Sequence, residues 1–417
     1  MSNVSSSNSQ GVRVPKLRFP GFEGEWEEKS LSDVATGFDY GMNAAAGAFD
    51  GLNKYIRITD IDEESRCYID ENPVSPKGEL DDKYLVREND ILFARTGAST
   101  GKTYLYKKSD GKLYFAGFLI RISVNCDNNS NFVYNATLTD RYNRWVRLTS
   151  MRSGQPGINS QEYSSYETYY PLLPEQNKIT SFLKKLDQRI EKQRQLVEAL
   201  KSYKRGALSK LFPQNGETTP QYRFAGFTEP WERKKLGDVV SILGGNAWKS
   251  SDYNSSGTHL VVTIANVTGE TYINDTVGNR IAVDESNPYK LCENDILISL
   301  TGNVGRVSKC TKIQAVLNQR VGKITLKDTR VCKDFVFHIL HNSAFENAML
   351  DAGQGAAQKN IGNKDVENYD VSLPDYLDEQ HKVAEYLSDI DRLITHHQEK
   401  LKEIQTLKFG LLQQLFI

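Results

Sequence analysis

Two glycine-rich loops carry the side chains whose types and spacing come closest to a chemical function. Residues 97–103 read Gly-Ala-Ser-Thr-Gly-Lys-Thr, with three residues between the glycines where a phosphate-binding loop needs four. Residues 301–306 repeat the segment as Thr-Gly-Asn-Val-Gly-Arg, without the Lys-Thr pair. Nucleotide hydrolysis is therefore disfavoured. A glycine loop with one basic residue, Lys102 or Arg306, fits either a contact to a nucleic-acid backbone or a plain tight turn.

A second pair of loops carries amide side chains on a glycine-rich backbone. Residues 154–159 read Gly-Gln-Pro-Gly-Ile-Asn, and residues 353–361 read Gly-Gln-Gly-Ala-Ala-Gln-Lys-Asn-Ile. Glutamine and asparagine present a donor and an acceptor together and can read an adenine edge, although the same side chains also cap turns. With further polar residues, the candidate DNA-contacting set is Lys102, Arg152, Gln155, Asn159, Lys249, Arg306, Asn318, Arg320, Gln354, Gln358 and Lys359.

The sequence lacks the residue patterns of a catalytic centre. It has no glycine-rich loop of the kind that binds S-adenosylmethionine, no Asn/Asp-Pro-Pro-aromatic segment, no helicase motif and no repeated carboxylate and lysine cluster for phosphodiester cleavage. Its six histidines have no ligand spacing, and its five cysteines are never spaced as Cys-x-x-Cys. We expect a chain that binds no metal or cofactor and is not an enzyme by itself.

The loops belong to two copies of one unit, about 205 residues apart. The opening Pro-x-x-Arg-Phe-x-Gly-Phe begins at Pro15 and again at Pro220, and the run Glu-Asn-Asp-Ile-Leu begins at Glu88 and at Glu293. Alternating apolar residues indicate a matching strand over 54–61 and 259–267. Between these anchors the copies differ in length and sequence. A common scaffold with unlike loops predicts one kind of task on two different targets.

Each copy closes with a long predicted helix, over residues 175–212 and 379–416. Apolar residues follow a four-three alternation for more than four heptads, which is typical of a coiled coil. The two stripes should pack on each other, and we favour an antiparallel pair because it gives the repeat an internal two-fold axis. Gln193, His397, Lys204 and Lys408 interrupt the stripes at matched positions. Such residues fix register, or the lysines mark where another protein's helices enter.

Composition describes a soluble chain with two ordinary cores. Of 417 residues, 39% are hydrophobic, and no stretch of eighteen apolar residues occurs. The first dozen residues indicate a disordered tail, and the odd number of cysteines indicates reduced thiols in the cytoplasm. The net charge is −1, but residues 178–210 carry ten basic and three acidic residues. That helix is either a solvated face or one that runs close to phosphates or to an acidic partner.

In their order and duplication, these motifs resemble the DNA-specificity subunit of type I restriction-modification systems. The resemblance rests on the opening, the Trp-Glu and Leu-x-Asp-Val that follow it, the Glu-Asn-Asp-Ile-Leu to Thr-Gly segment, the Gly-Gln loops, and the Glu-Gln pairs at 175–176 and 379–380. It implies two target-recognition domains, each reading one half of a split DNA site. It also implies two modification subunits docked on the helices and restriction subunits in the same complex, with S-adenosylmethionine, ATP and Mg bound by these partners.

We therefore expect an α/β (α+β) fold with an internal pseudo-two-fold repeat, in which two target-recognition domains of mixed sheet and helix are separated by two long antiparallel coiled-coil helices. The expected division is a disordered tail (1–12), domain 1 (13–174), spacer helix 1 (175–212), a linker (213–221), domain 2 (222–378) and spacer helix 2 (379–417). The helix residues expected to bind partner subunits are Leu186, Ile190, Val197, Lys204, Ile390, Ile394, Leu401 and Lys408.

The predicted function is sequence selection within a type I restriction endonuclease and adenine methyltransferase complex. Unlike loops predict a non-palindromic target, and the near-neutral charge predicts weak DNA binding by the chain alone. A rod of about 33 residues is about 50 Å long, which caps the separation of the half-sites at about 15 base pairs. Two alternatives stay open. One is a self-contained DNA methyltransferase or nuclease with divergent motifs, and the other is a coiled-coil scaffold with no DNA role.

Overall fold

The computed structural model describes residues 13–152, 154–214, 216–353 and 360–417, so the predicted tail lies outside the described residues. The chain divides into two compact units. The first comprises Met1–Lys192 with Lys402–Ile417, and the second comprises Gln193–Leu401. The sequence-based division gave each long helix a segment of its own, whereas each compact unit contains one domain together with part of both helices.

The first unit is built around a four-stranded antiparallel sheet. The strands of the whole unit are β1 (Glu27–Ser30), β2 (Ala35–Tyr40), β3 (Ala46–Ala48), β4 (Asn53–Ile56), β5 (Val74–Pro76), β6 (Asp90–Ala94), β7 (Thr103–Leu105), β8 (Lys112–Phe115), β9 (Leu119–Val124) and β10 (Glu167–Tyr170). Its helices are α1 (Leu31–Val34), α2 (Ser130–Ala136), α3 (Asp140–Thr149), α4 (Ser160–Ser164) and the first part of α5 (Leu173–Leu211). The central sheet has the order β2-β9-β6-β7, and β4 pairs with β8 in parallel.

The second unit repeats this plan. Its strands are β11 (Glu232–Lys235), β12 (Val240–Gly244), β13 (His259–Val262), β14 (Arg280–Ile281), β15 (Lys290–Leu291), β16 (Ile296–Ser299), β17 (Val307–Lys309), β18 (Ala315–Leu317), β19 (Val321–Leu326) and β20 (Asp370–Leu373). Its helices are α6 (Leu236–Val239), α7 (Lys333–Leu340), α8 (Ser343–Ala352), α9 (Asn363–Glu367) and part of α10 (Leu377–Leu415). The antiparallel sheet β12-β19-β16-β17 matches β2-β9-β6-β7, and β14-β13-β18-β15 form a mixed sheet.

The strand predicted over residues 54–61 ends at Ile56, five residues earlier than expected. The Arg57 guanidinium contacts the Asp60 carboxylate (Nη2 to Oδ1, 2.7 Å), which also accepts a hydrogen bond from the Arg57 backbone N (2.8 Å). This closes a 3-10 turn at Ile58–Asp60. In the second unit, the Asn266 side chain accepts from the Thr263 backbone N (2.8 Å) and ends β13 in the same way. Local side-chain to backbone bonds thus compete successfully with strand extension.

The Glu-Asn-Asp-Ile-Leu runs form the turn that leads into the central strand of each sheet. Asn89 has a φ of 71° and Asn294 a φ of 64°, a left-handed conformation that asparagine tolerates better than most residues. Asp90 accepts hydrogen bonds from the Arg87 backbone N (2.8 Å) and from Ser123 Oγ (2.5 Å). Burial raises the pKa of Asp90. The turn therefore fixes where β6 begins, and every residue of β6 is buried.

An arginine from each opening motif forms an ion pair with a glutamate in the first turn of a long helix. Arg18 donates two hydrogen bonds to Glu175, both of 2.8 Å, and Arg223 donates two to Glu379, of 2.7 and 2.9 Å. Trp231 Nε1 also donates to Glu379 (3.1 Å). Both carboxylates are almost fully buried, with side-chain exposures of 3% and 1%. These contacts join the opening motif of each domain to the first turn of its long helix.

The glutamine that follows each of these glutamates also bonds the long helix to its domain. Gln176 accepts from the Asn129 backbone N (2.9 Å), ahead of α2, and Gln380 accepts from the Cys332 backbone N (2.8 Å), ahead of α7. Both side chains also donate to a proline carbonyl just before the helix. The Glu-Gln pairs are therefore structural anchors that satisfy buried polar groups of the domain.

The two long helices run antiparallel, because in the second unit Gln193 meets His397 while the later Lys204 meets the earlier Asp391, which confirms the predicted direction of the pair. In the first unit, Lys408 Nζ lies 2.5 Å from Asp187 Oδ1. In the second, Gln193 Nε2 lies 2.8 Å from His397 Nδ1, and this polar pair occupies matched positions of the two apolar stripes. None of the described helices has the length and apolar character that crossing a membrane requires.

A buried ionic cluster in the second unit contains Lys204. Its ammonium lies 2.6 Å from Asp391 Oδ1 and donates to His341 Nδ1 (2.8 Å), and the Lys204 and Asp391 side chains are 8% and 6% exposed. Burial lowers the pKa of Lys204. Burial, with the Lys204 charge, lowers the pKa of His341 to about 4. The matching pair, Lys408 and Asp187, is 19% and 49% exposed. One repeated ion pair is thus buried in the second unit and solvated in the first.

We predict that Asp391→Asn destabilises the protein far more than Asp187→Asn. Removing the Asp391 charge leaves Lys204 buried without its counter-ion, which typically costs about 3–5 kcal/mol, whereas a solvated pair contributes about 0–1 kcal/mol. The measurement is the free energy of unfolding of each full-length variant in urea. Equal losses in the two variants would show that the burial difference has no energetic consequence.

We also predict that His341 makes stability depend on pH between about 6.5 and 4. Below pH 6.5 the unfolded chain takes up a proton at this imidazole that the folded chain refuses until about pH 4. Stability from this group is therefore full above the unfolded pKa and falls as the pH drops. His341→Gln should remove this contribution, so its difference in unfolding free energy from wild type should change by up to about 1.4 kcal/mol per pH unit. His381→Gln, at an exposed position, is the control. A constant difference for His341→Gln would contradict the assignment.

Candidate nucleic-acid interface

Four segments of the first unit meet at one end of its central sheet, at residues 41–46, 95–101, 116–118 and the described residues 150–152 and 154–159, which we call the first rim. Backbone hydrogen bonds join them in series. Gly117 N donates to Met42 O (2.9 Å), Arg95 N donates to Phe118 O (3.0 Å), and Ile158 N donates to Arg95 O (2.9 Å). The four segments therefore form one hydrogen-bonded surface, and their side chains are presented together.

The second unit contains the same series of hydrogen bonds. Gln319 N donates to Asn246 O, Leu300 N donates to Arg320 O, and Ile361 N donates to Leu300 O, each at 3.0 Å. The second rim consists of residues 245–249, 300–305 and 318–320 with the described residues 353 and 360–362. The backbone frame is thus repeated, although the loop sequences differ.

This repeated frame places unlike side chains at equivalent points. Phe118 in the first rim corresponds to Arg320 in the second, because each accepts the hydrogen bond from the residue after the central strand. Phe118 is 62% exposed, and Arg320 is also exposed. An aromatic side chain can contact a thymine methyl group, whereas an arginine can donate two hydrogen bonds to guanine. The two rims therefore present different recognition chemistry on one scaffold.

Half-buried Arg95 of the first rim contacts exposed Tyr40, which ends β2 beside the rim. The Arg95 guanidinium lies 4.7 Å from the centre of the Tyr40 ring, and Nη1 donates to Gly117 O (3.4 Å). Tyr40 Oη accepts from the Ser160 backbone N (3.2 Å), and this contact lowers the pKa of Tyr40. The sequence predictions missed Tyr40, Arg95 and Phe118. No local pattern marks these three residues, because the exposure of each side chain depends on tertiary packing.

The glycines of the loops after β6 and β16 are explained by helix packing. A Cβ atom on Gly101, whose φ is +88°, would lie 2.5 Å from Val146 of α3. A Cβ atom on Gly305, whose φ is +81°, would lie 2.6 Å from Met349 of α8. Only glycine combines this backbone conformation with so close an approach. The resemblance to a phosphate-binding loop is therefore a consequence of packing in both units.

The two basic residues of these loops are engaged within the protein. Lys102 is 4% exposed, and its ammonium donates to Ile61 O (3.0 Å) and pairs with Glu63. The prediction that Lys102 contacts a nucleic-acid backbone is corrected, because the side chain is buried in the domain. Arg306 is half-buried and lies 3.3 Å from Glu346 (Nε to Oε1). Neither residue offers a free cation at its rim.

The Gly-Gln loop of the first rim divides into capping and exposed residues. Asn159 caps α4 by accepting from the Glu162 backbone N (2.9 Å), so the capping interpretation is the correct one for it. Arg152 pairs with Glu162 at the edge of the rim. Gln155 is exposed and its Nε2 lies over Gly97, within 3.1 Å of where a Cβ atom would stand. Gln155 is therefore the amide that remains available for base recognition.

Three of the predicted residues of the second unit, Lys249, Asn318 and Arg320, lie on the second rim. Asn318 is half-buried, and its Oδ1 accepts from the Arg320 backbone N (3.3 Å). Lys249 is exposed beside Trp248, whose indole N–H donates to Leu317 O (3.0 Å). The structure thus brings Lys249, Asn318 and Arg320 together. Gln354, Gln358 and Lys359 lie outside the described residues.

Most of the helix residues predicted to bind partners are covered by the chain itself. The apolar stripes pack inside each unit, so the partner assignment is corrected for the buried positions and a partner must use another face. The buried ones are Ile190, Val197, Lys204, Ile390 and Ile394, and the half-buried ones are Leu186, Leu401 and Lys408.

A groove next to the helix pair of the second unit is apolar and open. It has a volume of about 380 Å³ and is lined by Tyr203, Gly206, Tyr222, Phe224 and Tyr386, among others. Tyr203 and Tyr222 are 57% and 55% exposed. Large exposed aromatic side chains around a concave surface are typical of a protein interface. We call this surface the second groove.

The first unit has a surface with equivalent residues and a matching backbone contact, which we call the first groove. Leu17 N donates to Gln414 O (3.0 Å), as Tyr222 N donates to Lys210 O (2.9 Å) in the second unit. Leu17 and Leu407 are 40% and 54% exposed. Gly410 occupies the position of Gly206, and a Cβ atom at either glycine would meet nothing within 4 Å.

No set of three histidine, cysteine, aspartate or glutamate side chains in the described part of the chain is placed to hold a metal ion. His341 and Lys204, whose pKa values burial lowers, lie in the packed interior of the second unit.

Known proteins share this architecture. The family model for the type I restriction modification DNA specificity domain matches residues 23–201 and 228–406. The MjaVIII specificity subunit of a type I restriction enzyme from Methanocaldococcus jannaschii is 26% identical over 349 residues, which is 79% of each chain. The putative MjaX specificity subunit from the same organism is 24% identical over 408 residues, covering 94% of this chain and 92% of that relative.

Solved structures show the same fold. The S subunit of a type I restriction-modification system from M. genitalium aligns with a TM-score of 0.60 at 14% identity, over 97% of this chain and 99% of that one. A chain from a structure of type I system assembly and conformational transition aligns with a TM-score of 0.52 at 19% identity, over 94% and 97%. Since two copies of the family model cover most of its length, the chain belongs to the type I restriction-modification specificity family, as a specificity subunit with two DNA specificity domains.

Proposed function

We propose that each rim reads one half of a split, non-palindromic DNA target and that the chain performs no chemistry itself. The observation that carries this proposal is the repeated hydrogen-bond frame with exchanged side chains. Phe118 and Arg320 occupy the same point of that frame, and direct readout depends on the groups presented at such points. One scaffold with two sets of contacts selects two different half-targets.

The chemistry of the rims suggests what each half-target contains. In the first rim, exposed Phe118 suits a thymine methyl group and the Gln155 amide suits adenine. In the second rim, Arg320 suits guanine and Asn318 suits adenine. The predicted role of α5 and α10 as the spacer between half-targets stays a prediction.

The partner subunits bind at the two grooves in this proposal. Two modification subunits dock, one on each unit, because each groove combines a glycine of a long helix, with open space beside it, and apolar side chains of an opening motif. The methyl donor, ATP and Mg belong to the modification and restriction subunits. A self-contained methyltransferase or nuclease, the alternative, would modify or cleave DNA when the purified chain is given S-adenosylmethionine and magnesium, and we expect neither reaction.

We predict that Arg320→Ala and Phe118→Ala relax recognition in different halves of the target. Loss of a bidentate arginine contact costs about 1–3 kcal/mol of discrimination at one base pair, so Arg320→Ala should broaden one position of one half-target. Phe118→Ala should leave that half intact and broaden the other. The measurement is genome-wide mapping of adenine methylation by cells that carry each variant with the modification subunit. Leu172→Ala, at an 83% exposed position outside the rims, is the control. Unchanged methylated sequences in both rim variants would contradict the proposal.

We predict that Gly206→Leu and Gly410→Leu each remove one modification subunit from the complex. Leucine fills the groove, yet it favours a helix over glycine by about 0.5–1 kcal/mol, so folding is retained. Native mass spectrometry of the co-expressed complex should give two modification subunits for wild type, one for each single variant and none for the double variant. His396→Leu, an exposed helix position away from both grooves, should retain two. Two bound subunits in the double variant would place docking elsewhere.

A further inference from the structure

We propose that the exposed arginine face of α3 binds DNA phosphates for the first domain, and that the second domain has no counterpart at the equivalent helix. The two domains then hold DNA with unequal electrostatic strength. The inference rests on the proposed function, since it assigns a phosphate contact beside a rim that reads bases. It adds an asymmetry that the repeat itself does not predict.

Helix α3 is fixed directly beside the first rim. Tyr142 Oη donates to Gly101 O (3.0 Å), and the close contact of Gly101 with Val146 holds the helix against the loop after β6. At its end, Gly157 N donates to Ser150 O (3.3 Å), so the helix runs into the Gly-Gln loop. DNA that contacts the first rim therefore lies close to the exposed face of α3.

Two arginines on this face have no ionic partner in the described part of the chain. Arg144 and Arg147 are exposed and three residues apart, so they lie on the same side of the helix. Their neighbour Arg141 is engaged instead, lying 4.9 Å from the Tyr169 ring and 3.7 Å from Glu28. Arg141 is therefore held by contacts within the domain, whereas the side chains of Arg144 and Arg147 are exposed to solvent.

Exposed apolar side chains accompany the two arginines. Leu148, four residues after Arg144 and so on the same side of the helix, is 65% exposed, and Met151, just after the end of α3, is 66% exposed. A surface that is both cationic and apolar matches the DNA backbone, in which charged phosphates alternate with apolar sugar edges. Arginine is also the common phosphate ligand among protein side chains.

The equivalent helix of the second unit carries the opposite charge. Helix α8 is fixed beside the second rim by the contact of Gly305 with Met349, as α3 is fixed in the first unit. It has two acidic residues, Glu346 and Asp351, and no lysine or arginine. Glu346 also engages Arg306, the cation nearest to it. A phosphate would be repelled where the first unit attracts one.

The test measures the salt dependence of DNA binding by the complex of this chain with its modification subunits. The probe is a mixed-sequence duplex of about 30 base pairs, titrated between about 50 and 200 mM salt. Each phosphate contact contributes about 0.9 to the slope of log K against log salt, so Arg144→Gln with Arg147→Gln should lower the slope by up to about 1.8. Arg144→Lys with Arg147→Lys keeps the charge and should restore most of it.

A matched control removes the same charge from the same unit. Lys184→Gln with Lys185→Gln neutralises two exposed lysines of α5 and should leave the slope unchanged. The inference is overturned if the arginine variant keeps the wild-type slope, or if the control lowers it equally, since the effect would then be one of net charge. It is also overturned if the arginine variant loses a modification subunit in native mass spectrometry, since α3 would then be a protein interface.

Failure of the inference and failure of the proposed function are distinguishable. Methylation mapping reports base recognition, and the arginine variant should methylate the wild-type sequence because phosphate contacts position DNA without selecting sequence. An unchanged slope together with altered specificity in the Phe118 and Arg320 variants would refute the α3 assignment alone. Unaltered specificity in those rim variants would refute the proposed function.

Discussion

The buried ion pair between an opening arginine and a helix glutamate is the interaction on which both functional surfaces depend. Arg18 and Arg223 each hold a carboxylate that is almost completely shielded from water, and removing one partner of such a pair typically costs about 3–5 kcal/mol. The same opening segment supplies one wall of each groove. The ion pair therefore fixes the domain on its long helix and also positions the surface that we assign to the partner subunit.

The rims show how one fold accommodates two specificities. Their segments are connected by backbone hydrogen bonds, which do not depend on side-chain identity, so residues such as Phe118 and Arg320 can differ while the frame persists. The features that the scaffold needs are the turn that Asp90 closes ahead of β6 and Gly101, whose lack of a side chain lets α3 pack closely. Recognition can change in one half without a change in the scaffold of the other.

Residues at matched positions of the two repeats have different surroundings in the folded chain. Lys204 and Lys408 occupy matched positions and each pairs with an aspartate, but one pair is buried beside two histidines and the other is solvated. Helices α3 and α8 hold matched places beside the rims with opposite charge. The copies therefore share backbone geometry and differ in electrostatics, which permits two domains of one chain to bind DNA with different strength.

The sequence by itself determined the repeat, the two long helices and the family, because these follow from periodicity and from motif order along the chain. It favoured an antiparallel pair only through the symmetry of the repeat, and the contacts between the helices decided the direction. It also singled out the glycine-rich loops that contribute to both rims, whereas the DNA-contacting role of Gln155 and Arg320 stays a prediction. Only the tertiary structure decided that Lys102 and Lys204 are buried, that Asn159 is a cap and that Phe118 is exposed. The physical reason is that the role of a polar or aromatic side chain depends on its burial and its partners. Those partners, such as Glu63 for Lys102 and Asp391 for Lys204, come from parts of the chain that local patterns do not connect.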